Sequence, residues 1–317
     1  MDPNADTSSV KPLDPNLIGE AAALATATLW TFNTLMFTSA SKKLGPLNVN
    51  AYRIIMAIGF LAVAHIILLG TVIPNASNEH WLWLGVSGII GLGIGDFGLF
   101  SAFVTLGPRR TVLIMALSPI FASIGAYALT GETISPTAIA GISVTLAGII
   151  IVILEREDRS GRKTVANGVK LRGFSLALVG AVGQGIGLAF SRKGINLDPN
   201  ALINPLSATL MRMVFGALFV WISLMVIGKL PELRKALDDK SGIKHTAAAA
   251  FIGPFLGVTL SMVAVTFTQA GIAQTLMSLM PVMIIPVVWV INKQKTSWRG
   301  IFGAMIAVVG VAIIFLT

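Results

Sequence analysis

The chain has 317 residues, of which 55% are hydrophobic and only 12% are charged. Soluble globular domains carry about 25% charged residues, so this composition excludes a cytosolic protein. The formal net charge of +9 would suggest nucleic-acid binding in a soluble protein, but here the basic residues lie in loops where they can face anionic lipids. The chain has no cysteine, which excludes disulfides, thiolate metal sites and cysteine nucleophiles.

Residues 1–16 carry aspartates where a secretory signal would carry basic residues, and we expect them to form a disordered tail. Ten apolar runs follow, each long enough to cross about 30 Å of hydrocarbon as a helix. They span residues 17–40, 49–70, 81–106, 110–130, 135–154, 172–191, 204–228, 245–268, 271–292 and 298–317. Only short connections remain, so the sequence predicts an all-α membrane protein with ten transmembrane helices.

The second half of the chain repeats the first. At an offset of 162 residues, glycines and prolines of one half coincide with those of the other. The pairs are Gly91 with Gly253, Gly95 with Gly257, Pro119 with Pro281, Gly141 with Gly303 and Gly148 with Gly310. Because no other apolar residue can replace the backbone roles of glycine and proline, we predict a first repeat over 17–154 and a second over 171–317. A charged loop, 155–170, joins them.

The number of crossings per repeat determines how the two repeats are related. Each repeat holds five crossings, an odd number, so the second copy must enter the membrane from the opposite side. We therefore predict two inverted five-helix repeats, related by a pseudo-two-fold axis in the membrane plane. This arrangement offers two near-equivalent packings, each open to one face, as alternating access requires. One chain can enclose such a pathway, so a monomeric transport unit is expected.

Several motifs follow one another in a recognisable order. The first half has Leu29-Trp30, Arg53, the glycine-rich segment 88–98, Ser118-Pro119, Gly131-Glu132, and Gly141 with Gly148; the second repeats Arg212, Pro281, Gly303 and Gly310. In these features the chain resembles the drug/metabolite transporter superfamily in its ten-helix form with two EamA-type repeats. The resemblance covers about residues 17–317. It departs at Lys293-Gln294, which stands where the first copy has Gly131-Glu132.

The resemblance implies a transport function. It implies export or exchange of small metabolites, amino acids or drug-like compounds across a cell membrane, driven by a gradient and without ATP. No cofactor is expected, and the partners expected are a small-molecule substrate and membrane lipids, without nucleic acid. The resemblance supports a class of substrate and no particular compound.

Asp96 is the only carboxylate near the centre of a predicted crossing. An ionisable group at that depth costs about 2.5–3.5 kcal/mol on the insertion scale, so it must face the protein interior or a wet cavity. One interpretation is a structural aspartate that is protonated or paired with an arginine. The other is a role in proton coupling or in binding a substrate amine.

Two arginines lie within predicted helices, Arg53 in the second and Arg212 in the seventh, and with a small gap in the alignment they coincide across the repeats. Each either holds helices together through carbonyls or a carboxylate, or binds a carboxylate of the substrate. Uncharged polar residues are also costly to expose to lipid. We therefore place four of them towards the centre of the bundle, along a substrate pathway. Each of them either contacts the substrate or forms a hydrogen bond between helices. They are Trp30, Asn33, Gln184 and Gln274.

Pro119 and Pro281 are predicted to interrupt helices 4 and 9 by freeing the carbonyls of Met115 and Met277, and they are candidate hinges. The loops after helices 1, 3, 5, 7 and 9 share one face, called the basic face below, which collects nearly all lysines and arginines. The positive-inside rule would make this face cytoplasmic and leave both termini outside. The family resemblance instead implies termini inside the cytoplasm.

The sequence lacks the motifs of a membrane enzyme and of an ATP-driven pump. A membrane enzyme needs a nucleophile, base or metal constellation, and the three histidines are dispersed, with no HExxH or GxSxG sequence. No Walker A sequence is present either. We therefore expect no enzymatic activity and favour a secondary transporter that exports or exchanges small organic metabolites. A membrane enzyme or a lipid scramblase is the alternative.

Overall fold

A computed structural model describes residues 14–106, 108–155, 167–198, 201–283, 287 and 298–316. Within these residues the chain is helical and contains no strand. The described residues form ten principal helices and, between the seventh and the eighth, a short helix at Leu230–Ala236. The principal helices are α1 Pro15–Leu44, α2 Pro46–Leu69, α3 Asn78–Thr105, α4 Pro108–Met115 continued by Ser118–Thr130, α5 Pro136–Glu155, α6 Asn167–Ile195, α7 Pro205–Val226, α8 Lys240–Phe267, α9 Ala270–Met283 and α10 Trp298–Phe315.

Eight helices of the described residues are long and apolar enough to cross a membrane, and α9 is a shorter apolar helix. The all-α membrane fold with two repeats is therefore confirmed, but the number of ten crossings is not. α1 has 30 residues but lies outside the eight; its central residues include several threonines, Trp30 and Asn33, which lower the hydropathy. The described part of α9 ends at Met283.

Helix starts differ slightly from the predicted boundaries. α1 begins at Pro15, where the side chain of Asp14 accepts from the backbone N–H of Asn16 at 3.0 Å, so the predicted tail extends two residues into the helix. α6 begins at Asn167, inside the predicted loop 155–170. The remainder of the tail, residues 1–13, and residues 156–166 of the loop lie outside the described part of the chain.

The two halves share the same backbone irregularities. α3 contains a π-helical stretch at Gly88–Gly95, and α8 contains one at Phe251–Gly257. α4 is interrupted before Pro119 by a turn in which Leu117 N–H donates to Ile114 O at 3.0 Å. α9 has the corresponding turn before Pro281, in which Leu279 N–H donates to Leu276 O at 3.2 Å. The repeat predicted from glycines and prolines is therefore a repeat of backbone conformation.

The packing of α5 on α10 shows how the repeats are related. A Cβ on Gly148 would lie 2.6 Å from the carbonyl oxygen of Gly303, and a Cβ on Gly310 would lie 2.8 Å from that of Gly141. Gly303 and Gly310 are the repeat counterparts of Gly141 and Gly148, so each glycine meets the counterpart of the other. This crossed pairing is the one expected for two antiparallel helices on a two-fold axis.

The remaining helices also pack across the repeats. α3 and α4 of the first repeat contact α6 of the second, and α8 and α9 of the second contact α1 of the first. α3 further packs on α7, and α8 packs on α2. Because each repeat packs its third and fourth helices against the other repeat, a space between them is lined by both halves of the chain.

Candidate functional site

A cavity of about 460 Å³ lies between the two repeats. Its deep part is lined near the middle of several helices by Trp30, Asp96, Gln184 and Gln274. From there it extends to Lys42 and Val104, near the ends of α1 and α3, and to Pro46, at the start of α2. These helix ends belong to the basic face, so the cavity opens towards that face.

An ion pair between α2 and α3 forms the charged wall of the cavity. Arg53 Nη2 donates to Asp96 Oδ2 at 2.6 Å, and both side chains are nearly buried. The other oxygen, Asp96 Oδ1, accepts from Gln184 Nε2 at 2.7 Å, and Arg53 Nε donates to Asn50 Oδ1 at 3.0 Å. These contacts therefore agree with the structural interpretation of Asp96, a buried carboxylate paired with an arginine.

Two aromatic rings cover the Arg53 guanidinium. Phe37 of α1 and Phe100 of α3 stack with their centroids 4.5 Å apart, and Arg53 Cζ lies 5.4 Å and 4.8 Å from those centroids. The rings attract the cation through their π faces, and both line the cavity. This aromatic pair could not be predicted from the sequence, since a phenylalanine in a transmembrane helix looks like an ordinary core residue unless its neighbours in space are known.

The π-helical stretch of α3 brings Asp96 to its partners. Asp96 N–H donates to the Gly91 carbonyl, five residues earlier, and the same oxygen accepts from Gln184 Nε2 at 3.3 Å. α6 approaches closely here, because a Cβ on Gly183 would lie 2.6 Å from the Cα of Gly95. The repeated glycines therefore allow the approach of α6 that places Gln184 beside Asp96. π-helical turns are frequent at functional sites.

Arg212 of α7 lies behind the cavity wall and does not line it. It is only 4% exposed, and its Nη1 donates to the sulfur of Met262 at 3.2 Å. Its Nε has no hydrogen-bond acceptor among the described residues. The guanidinium interacts electrostatically with Asp96, and its Nη2 would lie 3.2 Å from a Cβ on Gly91. Asp96 is thus close to both repeat-related arginines but hydrogen-bonds to Arg53.

The remaining predicted pathway residues make contacts between the two repeats in the deep part of the cavity. Gln274 Nε2 donates to Ser118 Oγ at 3.0 Å. Asn33 and Trp30 of α1 pack on the π-helical stretch of α8, where Trp30 Nε1 would lie 2.6 Å from a Cβ on Gly257. Asn33 Oδ1 is buried without a donor among the described residues. Every predicted pathway residue except Arg212 therefore lines one cavity.

The two candidate hinges adjoin the same cavity. Met115 and Met277 end the helical turns that precede the two breaks, and both line the cavity together with Pro281. Pro119 does not line it, but its neighbour Ser118 does. The breaks predicted from the prolines are thus present in both repeats, and they lie beside the cavity.

A polar network joins helix ends on the face opposite the basic face. Arg192 Nε, at the end of α6, is 3.2 Å from Glu132 Oε2, in the turn between α4 and α5. Glu132 Oε1 accepts from the backbone N–H of Ala270, at the start of α9, at 2.9 Å. Arg192 Nη1 donates to the carbonyls of Val265 and Thr266, at the end of α8, at 2.5 and 2.8 Å. We call these contacts the closing network.

The closing network was not predicted. In the sequence Glu132 differs from its counterpart Gln294, which suggests no partner for it, and Arg192 has no local pattern that singles it out. One signal pointed to Arg192, since it is among the few basic residues on a face that otherwise lacks them. Its partners are backbone carbonyls more than seventy residues away in sequence, which no local pattern reveals. Gln294, the counterpart of Glu132, lies outside the described residues.

Within the described residues, no group of three or more histidine, cysteine or acidic side chains is placed to hold a metal ion. His65, the buried histidine, already contacts the Thr71 carbonyl through Nδ1 at 2.6 Å and Ser207 Oγ through Nε2 at 2.9 Å. It therefore connects the end of α2 to the start of α7.

Comparisons with known proteins agree with this architecture. The model of the EamA-like transporter family matches residues 17–154 and 171–316. One solved structure, described only as "Crystal structure of protein", is similar over 95% of this chain and 96% of its own chain, with 18% sequence identity and a TM-score of 0.72. At that identity the likeness shows the fold alone. A comparison with curated proteins found no match.

Proposed function

Since the chain belongs to the EamA-like transporter family, we propose that it is a secondary transporter that exports or exchanges small organic metabolites across a cell membrane by alternating access. The observation that carries this proposal is the shape of the cavity. It is lined by both repeats and reaches the basic face, while the closing network joins the helix ends on the other face. In an inverted-repeat transporter, this is one of two related states.

The second state forms when the basic face closes and the closing network separates. The proline-linked breaks of α4 and α9 adjoin the cavity in both repeats, so we propose that they bend in this transition. The pathway lies within one chain, which fits a monomeric transport unit. The substrate contacts would come from the residues that line the deep cavity, with Arg212 acting through Asp96.

Asp96 is the proposed proton-coupling residue. The charged or titratable groups around it are Arg53 of α2 and Arg212 of α7, and Gln184 of α6 is a neutral partner. A proton on Asp96 would weaken its ion pair with Arg53 and release that guanidinium towards the cavity. Proton binding and substrate binding would then be linked through one arginine. Replacing Asp96 by asparagine removes the proton site and retains the shape of the side chain.

Accessibility of single cysteines tests alternating access directly, because the natural chain has none. Ser278 lines the cavity, so Ser278→Cys in oriented proteoliposomes should react rapidly with a membrane-impermeant thiol reagent from the basic face. A transported solute should change that rate. Ser87→Cys is the matched control, since Ser87 is fully buried between α3 and α6, and it should stay unlabelled.

The same experiment shows which face is cytoplasmic when it is repeated in vesicles of known orientation. Counterflow of a labelled metabolite panel into proteoliposomes is the second measurement, and it should detect exchange of at least one solute. A labelling rate that no solute alters, together with absence of counterflow, would refute transport. Lipid flipping under those conditions would instead indicate a scramblase, and turnover of a compound would indicate an enzyme.

A further inference from the structure

We infer that the cavity binds an organic anion with an apolar, aromatic body, and that the anionic group binds at Arg53. This inference rests on the proposed function, because it names the class of solute that the cavity would carry. It follows from the balance of buried charge, from the donors left available on Arg53, and from the lining around that guanidinium.

The charge balance around the deep cavity is positive. The buried ionisable residues of the described chain are Arg53, Asp96 and Arg212, together with His65 near the end of α2 and Glu20 near the start of α1. Only the first three lie at or behind the cavity wall, which gives two guanidinium groups for one carboxylate. Uncompensated buried charge is costly at low dielectric. A bound anion would offset that excess charge, whereas a bound cation would increase it.

Asp96 has little capacity to receive a substrate amine. Its Oδ2 is held by Arg53 and its Oδ1 by Gln184, and the residue is only 5% exposed. An ammonium group would have to displace a guanidinium that is already desolvated and bonded at 2.6 Å. The interpretation of Asp96 as a receptor for substrate amines is therefore less favourable than that of an internal counter-ion.

Arg53 has capacity for a further partner. Its Nε and Nη2 have acceptors, and its Nη1 has none among the described residues. A carboxylate in the cavity could accept from Nη1 and compete with Asp96 for Nη2, as bidentate arginine–carboxylate pairs do. Asp96 would then remain close to Arg212, whose Nε is also without an acceptor in the described structure. The second arginine thus stabilises the aspartate that a substrate displaces.

The lining favours an apolar body on that anion. The stacked rings of Phe37 and Phe100 flank Arg53, and Met115, Met277 and Met280 lie farther around the wall. Aromatic faces offer stacking surface, and methionine side chains adapt to irregular ligands. A volume of about 460 Å³ is within the range of small-molecule pockets. Lys42 at the mouth adds positive charge along the entry route.

Four solutes that share one phenylpropyl skeleton test this inference. They are 3-phenylpropanoate, an anion; 3-phenylpropylamine, a cation; 3-phenylpropanamide, which is neutral; and phenylalanine, a zwitterion. Counterflow and competition are measured in proteoliposomes containing the unmodified protein. We expect the anion to be bound and exchanged at least tenfold better than the other three. Preference for the amine, the amide or the zwitterion would overturn the inference.

The Asp96→Asn variant is an independent test, because the direction of its effect on affinity distinguishes a site for anions from a site for cations. It removes the internal competitor for Arg53, so the affinity for 3-phenylpropanoate should rise roughly tenfold, whereas a site for cations would lose affinity. Arg53→Lys should weaken binding of the anion, because a lysine cannot form the bidentate pair. Glu232→Gln, an acid-to-amide change at an exposed side chain of the short helix Leu230–Ala236, is the control and should change neither value. Weaker binding of the anion by Asp96→Asn would contradict the inference.

The outcomes separate the inference from the proposed function. The panel on the unmodified protein determines the charge class even if Asp96→Asn does not fold. Preferential exchange of the amine, the amide or phenylalanine would show that transport is right and that the anion class is wrong. If none of the four solutes binds while another metabolite shows counterflow, transport is right and an anion with an apolar, aromatic body is not the substrate. Absence of counterflow with every solute, together with unchanged labelling of Ser278→Cys, would refute the transporter itself.

Discussion

Arg53 and Arg212 occupy equivalent positions in the two repeats, but only Arg53 hydrogen-bonds to Asp96, at 2.6 Å. The asymmetry arises in α3 and α8, because the counterpart of Asp96 at the offset of 162 residues is Val258. Two symmetric arginines thus share one carboxylate. The charged chemistry of the cavity is therefore concentrated on the first repeat, although the backbone is nearly symmetric.

The unequal pairing predicts unequal effects of removing the two arginines. Arg53→Met leaves Asp96 buried without its directly bonded cation, and breaking a buried pair in this way costs about 3–5 kcal/mol. Arg212→Met removes a guanidinium with no hydrogen-bonded carboxylate, so its cost should be much smaller. Thermal unfolding of both variants in the same detergent compares them. Equal losses of stability would contradict the assignment of Arg53 as the principal partner.

Competition between a proton and Arg53 for Asp96 predicts a pH dependence of binding. Protonation of Asp96 releases Arg53, so the affinity for 3-phenylpropanoate should rise as the pH falls through the titration of Asp96. Asp96→Asn should show the acid-limit affinity of the unmodified protein at every pH. Binding measured across the pH range, at constant ionic strength, tests both statements. If the variant keeps the pH dependence of the unmodified protein, Asp96 is not the coupling group.

The closing network predicts a shift of conformation when its charge is removed. Glu132→Gln retains an acceptor for Ala270 N–H but loses the ion pair with Arg192, and a hydrogen bond to a charged group contributes about 1.5–3 kcal/mol. Both side chains are partly exposed, so we expect a shift at the lower end, roughly tenfold, towards opening of the closed face. The labelling rate of Ser278→Cys from the basic face should fall correspondingly.

Glu232→Gln serves as the control for that shift, because Glu232 pairs with Lys229 through exposed side chains at the start of the short helix Leu230–Ala236. It removes the same charge from the surface without touching the closing network. A faster labelling rate in Glu132→Gln, or an equal change in both variants, would show that the ion pair does not hold the face closed.

The fold could be predicted from the sequence because lipid restricts the structures that a chain can adopt. Apolar length predicts helices, and repeated glycines and prolines predict where they pack or break; the structure accordingly places Gly148 against Gly303 and breaks α9 before Pro281. Polar residues in apolar runs also identified the charged and amide side chains of the deep cavity, since few other locations tolerate them, but not the apolar residues that form most of its wall. The partners of Arg192 escaped prediction, because contacts between distant helix ends leave no periodic signal.

Gly88 of α3 leads to a prediction about helix packing, and Gly59 of α2 provides the matched control. A Cβ on Gly88 would lie 2.1 Å from the carbonyl oxygen of Arg212, so Gly88→Ala must push α7 away from α3. Such overpacking costs about 1–3 kcal/mol and should also displace Arg212 from Asp96. Gly59 of α2 has nothing within 4 Å of its Cβ position, so Gly59→Ala should be neutral or stabilise its helix by up to about 1 kcal/mol. The unfolding temperature and the rate of counterflow should both fall in Gly88→Ala and stay unchanged or rise slightly in Gly59→Ala. Equal behaviour of the two variants would mean that α7 does not approach α3 as closely as described.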